Sequence, residues 1–215
     1  MTVSLTSPPP IVYVVDDDAS VRESLSSLIR SAGMAVEVFA SPFEFLAKDQ
    51  LSDFACLVLD VRMPGLDGLA LQERIAELGV EIPIIFITGH GDVPLAVRAM
   101  KAGAIDFLNK PFDDTDLLDA ISVALSRVSA AVNERSELAD LCQRFDALTP
   151  REKQIMFAVA QGKQNKAIAY DLSVTESTVK VHKHNVMSKM NLRSVAELTL
   201  AIQQLKSVGK KAPAG

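Results

Sequence analysis

The chain holds little that would suit an oxidising compartment or a membrane. Only two of its 215 residues are cysteine, Cys56 and Cys142. Two lone thiols build no disulfide framework and carry no metal-ligand spacing. No uninterrupted apolar run approaches the roughly 20 residues of a bilayer-spanning helix. The first ten residues have no Lys or Arg and no apolar core, so they do not read as a signal peptide. No internal repeat is found. These absences predict a cytoplasmic protein with no membrane partner. What is present is ordinary globular material, 48% hydrophobic and 23% charged, enough for one large domain or two small ones.

The net charge of −5 conceals a division. Residues 1–120 hold 8 Lys and Arg against 19 Asp and Glu, a balance of −11. Residues 121–147 stand at −1, and residues 148–215, with 11 basic against 4 acidic side chains, at +7. Such asymmetry predicts two modules, the basic one a candidate for meeting a polyanion. A solubilising surface would look the same by charge alone.

The acidic module is organised around residues 54–65, Phe-Ala-Cys-Leu-Val-Leu-Asp-Val-Arg-Met-Pro-Gly. Six uncharged residues run into Asp60, and Pro64 and Gly65 then break the chain. That pattern predicts a strand buried on both faces of a parallel sheet, with Asp60 at its carboxyl end. Apolar runs at 11–15, 35–39, 82–88 and 104–108 predict four more strands. Helical spacing fills the intervals at 20–32, from Ser41 onward, at 68–78 and at 92–102, and a long helix follows Asp113. Ser41 with Pro42 and Glu44 has the form of a capping box. Strands alternating with helices predict an α/β fold, a five-stranded doubly wound parallel sheet.

The strand ends carry the chemistry. Asp16 and Asp17 end the first strand, Asp60 the third, Thr88 the fourth and Lys110 the fifth. In such a sheet these ends line one edge, where ligands bind. Carboxylates converging there repel one another unless a hard cation joins them, and Mg²⁺ suits a small carboxylate set with open water positions. Asp16, Asp17 and Asp18 could instead simply cap the next helix. A carboxylate, a hydroxyl, an ammonium and a divalent cation facing one another are what phosphoryl transfer to a carboxylate needs. Asp60 is then the nucleophile, and Thr88 and Lys110 stabilise the phosphoryl oxygens.

On these residues, positions 11–130 resemble a response-regulator receiver domain of two-component signalling, a flavodoxin-like fold. Asp60-Val-Arg-Met-Pro-Gly, Thr88-Gly-His-Gly-Asp-Val-Pro and Lys101-Ala-Gly-Ala-Ile-Asp-Phe-Leu-Asn-Lys-Pro-Phe are similar to the FixJ-type subgroup. The resemblance implies Asp60 as phosphoacceptor, Asp16 and Asp17 as the acidic pair, Thr88 as the switch hydroxyl and Lys110 as the family's lysine. It also implies a cis peptide before Pro111 and a metal contact from the backbone carbonyl of Arg62. Phe107 stands where the family has a mobile aromatic, though a plain core phenylalanine would read alike. A sensor histidine kinase is the implied phosphodonor. A homodimer formed on phosphorylation through the fourth helix and fifth strand is the implied output.

In the basic module, Leu148-Thr149-Pro150-Arg151-Glu152 opens a helix to about 161, stopped by Gly162. Helices at 165–172, from Thr175 to about 190 and at 194–205 follow, a small all-α helix-turn-helix domain. On a helical wheel of the third, Val179, Val186 and Met190 form a core stripe. Ser177, Lys180, Val181, His184 and Ser188 lie opposite with Asn185 beside them, as a face reading the major groove should. Lys183 falls near the core stripe and is expected to snorkel towards phosphate or solvent. Lys163, Lys166 and Lys189 are further phosphate-contact candidates. Residues 148–205 are similar to a LuxR-type DNA-binding domain, on Thr149-Pro150-Arg151-Glu152, Asn165-Lys166-Ala167-Ile168-Ala169 and Thr178-Val179-Lys180-Val181-His182. By that resemblance Lys180 and His184 reach promoter DNA, and Asn165 and Lys166 lie near its backbone. His184 stands where some relatives carry Lys or Arg, and His182 points into the module's own packing.

The expected organisation is a disordered leader 1–10, a receiver domain 11–125, a helical linker 126–147, the DNA-binding domain 148–206 and a disordered tail 207–215. The linker could also form a short coiled coil between subunits. The function this implies is a DNA-binding transcriptional regulator, with RNA polymerase as a further candidate partner. A haloacid-dehalogenase-type phosphatase would use similar groups, but it needs an aspartate two residues past the nucleophile, where this chain has Arg62. The protein is therefore expected to turn over nothing but its own phosphorylation and slow dephosphorylation. A receiver acting only through protein contacts, with an idle DNA domain, is the remaining alternative.

Overall fold

The computed structural model describes residues 9–89 and 93–211. It divides into two compact units, Met1–Val132 and Asn133–Gly215. In the first, β1 (Ile11–Val15), β2 (Ala35–Phe39), β3 (Ala55–Asp60), β4 (Ile84–Thr88) and β5 (Asp106–Asn109) form one sheet in the order β2-β1-β3-β4-β5. Every pairing is parallel. The helices between them are α1 (Ala19–Ser31), α2 (Pro42–Leu46), α3 (Gly68–Glu77) and α4 (Val93–Lys101), with α5 (Asp114–Asp146) after β5.

Strand alternation sorts the core into two layers. Tyr13, Val15, Leu57, Leu59 and Phe86 pack with Leu71 and Ile75 of α3 on one face. Val12, Val14, Cys56, Val58, Ile85 and Ile87 pack on the other with Ile29 of α1 and Ile121 of α5. All six residues of β3 are buried, as its uncharged run predicts. Each such large apolar side chain contributes roughly 1.5–3 kcal/mol by leaving water. The central strands therefore form a stiff platform whose carboxyl edge can hold charged groups in place.

The second unit comprises α6 (Pro150–Ala160), α7 (Asn165–Asp171), α8 (Glu176–Lys189) and α9 (Val195–Ser207). Thr149 starts α6 with a complete capping box: it accepts from the Glu152 N–H, and the Glu152 carboxylate answers its own N–H at 2.8 Å. Gly162, at φ +76°, ends that helix in the left-handed region. Ile155, Met156, Val179, Val186, Met190 and Leu198 form the centre of the core.

Local differences from the expected elements have local causes. At Ser41 the box is half made: Ser41 accepts from the Glu44 N–H, but Glu44 takes the N–H of Ala40 at 2.6 Å. β5 starts at Asp106 rather than 104, because Ala104 N–H closes the end of α4 on the Ala99 carbonyl. The helix expected from residue 92 begins, among the described residues, at Val93, and Asp92 lies outside them.

α5 runs unbroken through the expected helical linker to Asp146, and its Leu141 and Phe145 belong to the second unit's core. Of the expected tail, residues 207–211 are described. α9 reaches Ser207, Gly209 turns at φ +80°, and Lys210 pairs with Asp146 at 2.7 Å. Residues 212–215 and the leader before Pro9 lie outside the described residues. The Pro10 carbonyl already accepts from the Ala35 N–H.

Candidate functional site

The parallel register brings the carboxyl ends of β1, β3, β4 and β5 to one edge. Lys110, just beyond β5, places its Nζ 2.7 Å from Asp16 Oδ2 and 2.7 Å from Asp60 Oδ1. Both aspartates and Thr88 are buried. The second oxygen of Asp60 accepts the N–H of Arg62 at 2.7 Å, and Asp16 Oδ1 accepts that of Asp18 at 2.8 Å. Lys110 N–H donates to the Thr88 carbonyl at 2.7 Å, and the Lys110–Pro111 peptide is cis. Asp16, Asp60, Thr88 and Lys110 thus come together from four strand ends, as their positions in sequence predict.

Burial pushes the Asp60 carboxyl above its ordinary value, against the pull of Lys110. Burial also works against the Lys110 ammonium, yet its bonds to Asp16 and Asp60 outweigh this and its pKa is raised. The cation is therefore secured while one of its two anions is strained by its surroundings. By contrast, burial of the Cys56 thiol pushes it up to about 12, so it is no nucleophile.

The convergence of carboxylates is narrower than expected. Asp17 is exposed, and among the described residues no group of three or more Asp, Glu, His or Cys stands close enough to hold a metal ion. Consecutive residues leaving a strand face opposite ways, so Asp16 turns in and Asp17 does not. Asp18 takes the capping role, accepting from the N–H of Ser20 at 2.8 Å. The donors still fit Mg²⁺ in kind, since that ion commonly takes one or two carboxylates and keeps its waters. Arg62 itself is exposed. Phe107 is half-buried, its ring centroid 6.3 Å from that of Phe86.

Gly68 and Arg22 were not foreseen as parts of this edge. Gly68 opens α3 with its N–H on the Val61 carbonyl at 2.9 Å. A Cβ there would lie 2.4 Å from the Asp60 carbonyl oxygen, so only glycine lets α3 approach this closely. The only hint in sequence is a glycine at the start of a helix, which reads equally as a turn. Arg22 donates to the Asp16 carbonyl at 2.7 Å and steadies the turn into α1. An arginine on a helix surface gives no such hint.

In the second unit the wheel of α8 holds. Ser177, Lys180, Val181, His184 and Ser188 are exposed, whereas Val179, Val186 and Met190 are buried. Lys183 and Asn165 are half-buried, and Lys166 is exposed. His182 is half-buried with Nδ1 shut away from solvent, consistent with a packing role. Two of the three further lysines are already engaged. Lys189 pairs with buried Glu152 at 2.8 Å, and Lys163 with Asp171 at 2.7 Å. Burial would raise the Glu152 carboxyl, but its bonds from Lys189 and Thr149 prevail and hold it below its ordinary value. Lys189 therefore fastens α8 to α6, whereas Lys180 is an exposed cation on the outward face of α8.

Residues 12–122 match the family model of the response regulator receiver domain, and residues 146–202 that of the bacterial regulatory proteins of the luxR family. The response regulator protein TmoT of Ectopseudomonas mendocina is 47% identical over 91% of this chain and 89% of its own. The transcriptional regulatory protein FixJ of Bradyrhizobium diazoefficiens is 44% identical over 87% of this chain and 91% of its own. Among solved structures, response regulator StyR matches with a TM-score of 0.80 at 48% identity, covering 92% of this chain and all of that one. Full-length FixJ from B. japonicum matches with a TM-score of 0.58 at 43% identity, covering 92% of this chain and 98% of that one. With a receiver edge at one end and a LuxR-type helix-turn-helix at the other, the chain belongs to the FixJ-like two-component response regulators.

Proposed function

We propose that the protein is a transcription regulator switched by phosphoryl transfer from a sensor histidine kinase to Asp60, with Mg²⁺ as the required cation. The observation that carries this reading is the Lys110 ammonium held between the buried carboxylates of Asp16 and Asp60, 2.7 Å from each. Asp16 and Asp60, with the Arg62 carbonyl, would hold the ion, and Asp17, which faces solvent here, would have to turn in to join them; the ion when bound neutralises charge on the phosphoryl oxygens. A carboxylate oxygen of Asp60 attacks phosphorus as the phosphorus–nitrogen bond to the kinase imidazole breaks. The electron pair leaves with that nitrogen, and an acyl phosphate remains on Asp60. Lys110 opposes the rise that burial imposes on the Asp60 carboxyl and then meets the charge on the phosphoryl group. Thr88 hydrogen-bonds one phosphoryl oxygen.

Phosphorylation adds about −1.5 to −2 charge at pH 7. Drawing Thr88 inward frees Phe107 to rotate and remodels the face of α4 and β5. On α4, Val93, Val97 and Met100 are exposed apolar side chains suited to a second copy of the chain. The dimer then presents two α8 helices to promoter DNA, with Lys180, Val181, His184 and Ser177 at the bases and Lys183, Lys166 and Asn165 towards the backbone. RNA polymerase is a further partner in this reading, and the protein works in the cytoplasm. Arg62 leaves no acid/base aspartate for phosphatase turnover, so the chemistry stays on Asp60. Among the described residues no helix is long and apolar enough to cross a membrane.

The test is treatment with acetyl phosphate and Mg²⁺, followed by intact mass, sedimentation and binding to the genomic fragments that the treated protein selects. Wild type should gain one phosphoryl group, dimerise and bind these fragments more tightly. Asp60→Asn should do none of these, and a response like the wild type's would overturn the assignment.

A further inference from the structure

Gln72 lies in the middle of α3 and is buried. Its Nε2 donates to the Ala102 carbonyl at 3.1 Å, just past the end of α4. Its Oε1 is equally buried and takes no hydrogen bond from the described residues. Leaving a buried acceptor unanswered is costly, and an apolar side chain of the same shape would avoid the cost. The bond to α4 is what the amide provides in return.

Two further contacts put this bond between the phosphoacceptor and the surface. Gln72 stands one helical turn after Gly68 and on the same face of α3. Gly68 is where α3 meets the phosphoacceptor strand, its N–H on the Val61 carbonyl and with no room for a Cβ against the Asp60 carbonyl. At the far side, α4 buries Ala99 and packs Leu95 on the same core layer, while Val93, Val97 and Met100 are exposed. A short helix like α3 moves as a rigid body, so a shift at its first turn is felt at Gln72.

We infer that Gln72 is a positioning residue that ties the end of α4 to α3, so that a change at Asp60 reaches α4 through Gly68, α3 and Gln72. This route is separate from the one through Thr88 and Phe107. The transmission half rests on the proposed phosphorylation of Asp60, whereas the anchoring half does not. The bond makes the Gln72 amide a polar tie between the end of α4 and α3, added to the packing of Ala99 and Leu95, and its loss should leave the core intact. Ala102 is exposed, so water can serve its carbonyl once the amide is gone.

The experiment is Gln72→Met in the full-length chain, a change that keeps length and removes the donor. Hydrogen exchange of the resting protein should speed up about tenfold at the Ala102, Gly103 and Ala104 amides, the size of one lost hydrogen bond. Exchange in β3 should stay as in wild type. Exchange at 102–104 equal to wild type overturns the anchor. With acetyl phosphate and Mg²⁺, phosphorylation of Asp60 should keep its rate, while the accompanying tightening of the dimer should fall about fivefold, about 1 kcal/mol of coupling. Faster exchange with an unchanged dimer response removes the transmission route and leaves the anchor. If wild type itself takes up phosphate and does not dimerise, the proposed function loses its dimer, and the exchange result still decides the anchor.

Discussion

Lys110 Nζ and Asp60 Oδ1 stand 2.7 Å apart at the end of two strands that are not neighbours in the sheet. The same Nζ reaches Asp16 at an equal distance, so one cation answers two buried anions. The arrangement neutralises only half of the negative charge brought there.

Removing the cation should be far worse than removing one anion. Lys110→Met leaves Asp16 and Asp60 buried without a counter-charge, which typically costs roughly 3–5 kcal/mol. Asp60→Asn should stabilise instead. The Asp60 carboxyl is raised in the fold, so its ionisation weakens the folded state as pH climbs from its ordinary value through the raised one. At neutral pH the asparagine escapes that cost, and Lys110 keeps Asp16. Urea unfolding of both variants at pH 7 checks the signs, and a less stable Asp60→Asn contradicts the strain assigned to Asp60.

Gly68→Ala should disturb the main chain at Asp60 without touching any charged group. The added methyl lies 2.4 Å from the Asp60 carbonyl oxygen and 3.1 Å from Val61 Cα, both main-chain atoms. Forcing α3 away from β3 should cost about 1–3 kcal/mol, as overpacking usually does. Phosphorylation by acetyl phosphate should slow in step. Calorimetry beside a phosphorylation time course tests this, and a variant as stable and as fast as wild type rules out the close approach.

The second unit should be sensitive to acid through Glu152. Its carboxyl is held low in the fold, so its contribution is present above its ordinary value near 4.5 and fades as pH falls through the folded one. Glu152→Gln should lose about 1–3 kcal/mol at pH 7, the worth of charge-assisted bonds to a buried group. The difference between variant and wild type should shrink as the medium becomes more acid. Chemical unfolding followed by helix ellipticity between pH 7 and pH 3 reads this directly; a constant difference would show that Lys189 contributes nothing through charge.

Lys180→Ala should weaken DNA binding and leave phosphorylation untouched. A base-edge contact is worth about 1–3 kcal/mol of discrimination, whereas a phosphate contact lowers the salt slope by about 1. Fluorescence anisotropy with a selected fragment over a range of salt separates the two. Lys189→Ala is the contrast, because it breaks the pair with Glu152 and should lower stability first. If Lys180→Ala binds as wild type does, α8 does not present this face to DNA.

Much of the architecture was legible in the sequence because it is set by short-range patterns. Uncharged runs such as 54–59, closed by turn residues, read as strands covered on both faces, and Thr149 with Glu152 marks a helix start within four residues. A strand-and-helix alternation then forces the strand ends to one edge, which is why Asp60, Asp16, Thr88 and Lys110 could be named together. The wheel of α8 was legible for the same reason, since helical period alone separates Lys180 from Val186.

Other features depended on where distant segments meet, and only the tertiary structure decided them. Asp16 and Asp17 are adjacent and chemically alike, yet the strand's alternation buries one beside Lys110 and exposes the other. Lys180 and Lys189 sit on one helix with equal charge, and the presence of Glu152 on α6 makes one of them structural. Gly68 and Gln72 give no local signal, because the Asp60 carbonyl and the Ala102 carbonyl that define their roles arrive from other elements. Residues 207–210 read as loose, yet Ser207 belongs to α9 and Lys210 pairs with Asp146, 64 residues away. Sequence determines what each residue can do through its type and local period; packing determines which partner it meets, and that decides which capacity is used.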